Sequence, residues 1–130
     1  MNVLASQAHW FLRIALASVF LYHGLTKFPA LGGMAEMMGM PTVLLLLVAL
    51  GETGAGLLIL AGGFFGDLIT RLAGLLIIPV MLGAIFMVHW GQWGFEPSDT
   101  HPMGGMEFQV TLLLIALYFV VRGNSESAGG

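Results

Sequence analysis

Residues 44–62, LLLLVALGETGAGLLILAG, form an apolar run with a single acid near the centre, Glu52. About 20 residues at roughly 1.5 Å rise span a bilayer core of about 30 Å, so a helix starting after Pro41 crosses it with Glu52 close to the midplane. Eleven Val, Leu and Ile lie between Val43 and Leu60. At about −0.3 to −0.6 kcal/mol each they outweigh one acid at about +3 kcal/mol, and the segment inserts. Ala49, Glu52, Gly56 and Gly63 recur at steps of three, four and seven. Small-residue stripes of this kind let helices approach closely in lipid. Glu52 is therefore expected to face other helices, which must supply its partners.

The rest of the chain fits that setting. With 58% of its 130 residues hydrophobic and 8% charged, it is too apolar for a soluble domain of this size. The net charge of −3 rests on few groups, and no basic patch suits nucleic acid. There is no cysteine, which excludes thiol–disulfide exchange, Fe–S clusters and thiolate zinc. Redox work would need a bound cofactor, and a metal would need His, Met or carboxylate ligands.

Four spans are expected in one domain, at about 9–28, 42–62, 68–90 and 107–122. The lead Met1–Ala8 is followed by a run too long for a signal-peptide core, without a convincing cleavage site, and is read as retained. Arg13 is near enough to the start of its span to snorkel to headgroups, and Arg71 and Arg122 read as anchors at the same membrane surface. The Gly32-Gly33 pair should break the linker after the first span, whose Met cluster suits an interfacial segment, and Pro41 should open the second helix. A tight turn at Gly62-Gly63-Phe-Phe-Gly66 makes spans two and three antiparallel neighbours, with Asp67 as N-cap. Pro79 should kink the third span. Trp90, Trp93 and Phe95 suit an aromatic belt beside the long loop 91–106, and Glu107, Thr111, Tyr118 and Arg122 read as an inward polar stripe on the last span. Residues 124–130 read as a disordered tail. The fold class is thus all-α, an antiparallel four-helix bundle in the lipid bilayer. Arg13, Arg71 and Arg122 against Lys27 place both termini in the cytoplasm.

His23, Lys27, Glu52, His89 and Glu107 then fall in the outer half of the bundle, one or two from each helix. A structural reading makes Glu52 with Lys27 or His23 a clasp between helices. A functional reading gives the same groups to quinol oxidation, which needs proton acceptors beside the ring. Histidine accepts protons near neutral pH, and a buried carboxylate can take another. Glu52, His23 and His89 are the catalytic candidates, and Lys27, Glu107 and Trp90 the candidates for contact with quinone. No metal site is assigned, since the Met cluster reads first as soft packing, with copper a minor alternative.

These residues also carry a family resemblance. Arg13, the run Tyr22-His23-Gly24-Leu25-Thr26-Lys27-Phe28, Gly39-Met40-Pro41, Gly51-Glu52-Thr53-Gly54-Ala55-Gly56, Arg71, Pro79, His89 and Gly104-Gly105-Met106-Glu107 resemble the DoxX family. The resemblance covers about Arg13 to Val121 and implies a four-helix protein of the bacterial or archaeal plasma membrane. It is similar to the DoxD-type membrane subunit linked to thiosulfate:quinone oxidoreductase and to archaeal terminal quinol oxidase. It implies a quinone-linked partner for the His23, Lys27, Glu52 and His89 positions. Other membrane or soluble redox subunits are the expected partners, with homo-oligomers a further option. A non-catalytic accessory or assembly subunit is the alternative function, and a small-molecule or metal carrier the next.

Overall fold

The computed structural model describes residues 2–124; of the expected tail 124–130 only Asn124 is among them, and it is held by hydrogen bonds to Arg13, Thr70 and Gly62 rather than disordered. Every regular element among those residues is helical. The short α1 (Val3–Ser6) leads into α2 (His9–Lys27), followed by a 3-10 turn, Phe28–Ala30, and α3 (Leu31–Met38). Then come α4 (Thr42–Phe65), α5 (Asp67–Ala84), continued by a π-helical turn at Ile85–His89, and α6 (Glu107–Arg122). Three helical stretches, Val3–Met38, Thr42–Phe65 and Asp67–His89, are long and apolar enough to cross a membrane. The 16 residues of α6 reach about 24 Å, short of a full core thickness.

Small residues set how the helices meet. Gly24 of α2 lies against Ala49 and Thr53 of α4, Gly56 of α4 against Leu21, and Gly63 against Trp10. Numbers thus fall along α2 as they rise along α4. The same holds for α4 and α5, where Gly51 meets Val80, Gly54 meets Leu76 and Gly62 meets Thr70. On α6, Ala116 and Val120 close over Gly74 of α5. Leu16, Phe20, Ile59, Ile77, Leu112 and Phe119, from all four long helices, pack into one core.

Several local expectations are corrected. Gly62 and Gly63 do not turn the chain, because both are packing positions inside α4; the reversal falls at Gly66, where φ is +128°. Gly32 and Gly33 sit inside α3, which ends instead at Gly39 with φ +66°. Pro41 is the N-cap of α4 rather than its first helical residue. Asp67 is the first residue of α5, not its cap; its carboxylate accepts from Arg71 Nε and from Asn124 N, each at 2.6 Å. Arg71 also donates to the carbonyls of Val120 at 2.6 Å and Val121 at 3.0 Å, covering acceptors that the end of α6 leaves open. The inward face of α6 is Leu112, Ala116 and Phe119, while Thr111, Tyr118 and Arg122 are exposed. Thr111 needs no inward partner, since its hydroxyl donates to Glu107 O at 2.9 Å within the helix.

The largest correction is Arg13, which does not snorkel. It is 1% exposed, the largest fully buried side chain among the described residues, at the end of the molecule where Asn124 lies. Its Nε donates to His9 Nδ1 at 2.9 Å and one terminal nitrogen to Ile59 O at 2.8 Å and Thr70 Oγ1 at 2.9 Å. The other donates to Asn124 Oδ1 at 2.6 Å, and the Phe119 ring centre is 4.9 Å from the guanidinium carbon. A planar fork with five donors can serve acceptors from several helices at once, which outweighs a reach to headgroups.

The Gly24 contact is testable. A methyl group there would come within 2.7 Å of Thr53 N and 3.0 Å of Ala49 O. Backbone atoms cannot swing aside as a side chain can, so Gly24→Ala should cost about 1–3 kcal/mol. Gly32→Ala meets nothing within 4 Å and should be neutral or stabilising by up to about 1 kcal/mol. Thermal unfolding in detergent checks both; equal shifts would mean that α2 and α4 are not held this closely.

Candidate functional site

Glu52 is 6% exposed on the face of α4 turned toward α2. The close passage at Gly24 brings the next turn of α2 over the carboxylate, and Lys27 Nζ lies 2.7 Å from Glu52 Oε2. The same ammonium donates to His23 O at 2.9 Å. Two unlike charges so placed satisfy each other where water cannot, which suits a pair at mid-helix depth. Beside them, Thr53 Oγ1 is buried without a hydrogen-bond partner. His23 is exposed, its ring edge-on to Tyr22 at 5.4 Å and 89°.

His89 belongs to a second group. It is 8% exposed on the π-helical turn, and its Nδ1 is 2.9 Å from Gly104 O. A carbonyl only accepts, so Nδ1 carries the proton and Nε2 is the atom left to take another. Gly104 is required there, with φ +82° and the Phe95 carbonyl where a Cβ would stand. His101 Nε2 donates likewise to Trp90 O at 2.6 Å, so two histidines pin the long loop to the end of α5. Trp90 is exposed and stacks at 5.0 Å on Phe86. Glu107 opens α6, its N–H donating to Trp93 O at 2.9 Å, and lines a loop cleft of about 470 Å³ with Gln92, Phe95, Glu96 and Ser98.

The six candidate residues thus divide. Glu52, Lys27 and His23 come together, while His89, Trp90 and Glu107 cluster about the loop. Gly51 packs level with Val80, and the nine residues from there to His89 rise roughly 13 Å along the helix. Among the described residues no three of His, Asp and Glu converge as metal ligands. Sequence reasoning missed Arg13 as an interior residue. The polar residues Thr70 and Asn124 at the Arg13 end were the available signal.

Residues 8–90 match the family model described as DoxX. The chain belongs to the DoxX family. It is 30% identical over 116 residues to the Bacillus subtilis (strain 168) protein named "Putative oxidoreductase CatD", covering 87% of this chain and 77% of that one. No solved structure matches the chain significantly. The matched DoxX region holds Tyr22, His23, Lys27, Glu52, His89 and Trp90; Glu107 and α6 fall beyond it.

Proposed function

We propose that this DoxX-family protein is an antiparallel four-helix protein of the bacterial or archaeal plasma membrane, with both termini cytoplasmic, and the membrane subunit of a quinone-linked oxidoreductase. The observation that carries this reading is the Lys27–Glu52 pair at 2.7 Å, an ionisable couple at the depth where charges are kept chiefly for work. The name of the Bacillus subtilis relative supports the oxidoreductase class.

The residues present fit a quinone: a carboxylate and an ammonium lie beside an imidazole and a phenol whose polar atoms have no hydrogen-bond partner among the described residues. When bound, a quinol would supply two electrons and two protons and leave as quinone, with a redox group of a partner subunit as the electron acceptor. His23 holds or releases one proton, and Glu52 the other, while Lys27 keeps the carboxylate's charge compensated. His89 Nε2 serves as a proton exit near the outer surface, apart from the Glu52 pair. Trp90 and Glu107 stand by that exit rather than by the Glu52 pair.

Purification from native membranes with lipid extraction tests the reading. Quinone should co-purify, and added quinol should be oxidised when the native partner subunits are present. Absence of both would overturn it. The Lys27–Glu52 pair also suits an accessory subunit, in which it serves only to clasp α2 to α4.

A further inference from the structure

We infer that the exposed Tyr22–His23 pair of α2 is a lateral doorway, where the head of a lipid-dissolved quinone docks from the hydrocarbon phase. The inference rests on the quinone reading above and gives it a place on the molecule. Tyr22 is 66% exposed and His23 is exposed as well. Among the described residues, neither the Tyr22 hydroxyl nor either His23 ring nitrogen has a hydrogen-bond partner. Their depth makes this unusual. Gly24, the next residue, packs against Ala49 and Thr53, the middle of the 24-residue α4. From the level between Ala49 and Thr53, Thr42 is about nine residues away and Phe65 about 14, roughly 13 and 21 Å, too far for a phenol or an imidazole to snorkel.

Polar groups facing hydrocarbon without partners are costly, so something must cover them in the membrane. Thr26, one turn on, shows the usual solution: its hydroxyl donates to Tyr22 O at 2.7 Å within the helix. Tyr22 and His23 have no such internal outlet. What covers them must be soluble in lipid, flat enough to lie on one ring of this edge-to-face pair, and equipped with oxygens that accept from N–H or O–H. A neutral quinone head meets all three conditions. The position also fits its use, because the carbonyl of His23 holds the ammonium that pairs with Glu52. Entry from the side requires no opening through the loop, where Trp90 and Glu107 lie.

The test places the full chain in nanodiscs of phosphatidylethanolamine and phosphatidylglycerol and titrates in ubiquinone-2, following ring-labelled histidine by NMR. The His23 signals should move on titration. His23→Leu and Tyr22→Phe should each weaken binding about tenfold, as expected for one hydrogen bond lost in an apolar setting. Both replacements put apolar groups against lipid, so the fold should survive them. Phe11→Leu, an exposed ring three turns away on α2, should bind as the unaltered protein does. Equal binding by all variants would overturn the doorway and leave the quinone reading standing. No binding by the unaltered protein would remove the quinone reading and the doorway with it. Full cross-linking of His23→Cys copies without quinone would show that a second copy covers the patch, and would also overturn the proposal.

Discussion

Lys27→Ala is expected to lower stability by about 3–5 kcal/mol, because it leaves the carboxylate of Glu52 buried and uncompensated. The pair has little water to fall back on, with side-chain exposures of 11% for Lys27 and 8% for Glu52. Removing both charges together should behave differently. Lys27→Met combined with Glu52→Leu keeps the volume and abolishes the desolvation cost, and should recover most of the loss. Reversible unfolding in mixed detergent measures both effects. An unchanged stability in Lys27→Ala would mean that water reaches Glu52 in the membrane. The double variant also separates the two functional readings. If Glu52 handles protons, the double variant folds and assembles but fails to couple to quinol. If the pair is only a clasp, turnover per assembled complex is retained.

How far the chain could be read in advance depended on which residues carried the signal. The long apolar run of α4 announced its length and depth, and the stripe Ala49, Glu52, Gly56 announced its inner face, which is buried as that spacing requires. Small residues are informative here because they mark close backbone approach. Polar residues are less so. In a soluble protein a polar stripe faces water; in lipid both faces of a helix are apolar, and that contrast is lost. Hence Thr111 and Tyr118 suggested the wrong face of α6, while Leu112, Ala116 and Phe119 turn inward. The partner of Glu52 was narrowed by helical spacing to His23 or Lys27, but choosing between them needed the register of α2 on α4. That register is set at Gly24 by a contact between helices, and no local pattern encodes it. The division of the site has the same origin. His89 and Glu52 are both expected in the outer half, yet the register of α4 on α5 separates them by about two and a half turns.

Arg13 gives the second large effect. Were it a headgroup anchor, Arg13→Lys would be nearly neutral, since an ammonium snorkels as well as a guanidinium. In its buried setting the same change should cost about 2–4 kcal/mol, as charge-assisted hydrogen bonds at about 1.5–3 kcal/mol each are lost or bent. An ammonium at one point cannot reach His9, Ile59, Thr70 and Asn124 together, because these acceptors surround a plane rather than a point. Asn124 completes the arrangement from the other side. Its Oδ1 accepts from Arg13 at 2.6 Å and from Thr70 Oγ1 at 2.5 Å, while Nδ2 donates to Gly62 O at 2.6 Å. One amide therefore ties the segment after α6 to α2, α4 and α5. Asn124→Ala should cost less than Arg13→Met, since the arginine keeps its other acceptors. The two changes should also couple by about 0.5–3 kcal/mol in a double-mutant cycle, as residues in direct contact do. Strict additivity would mean that the guanidinium and the amide do not meet, and that Arg13 has turned to the membrane surface after all.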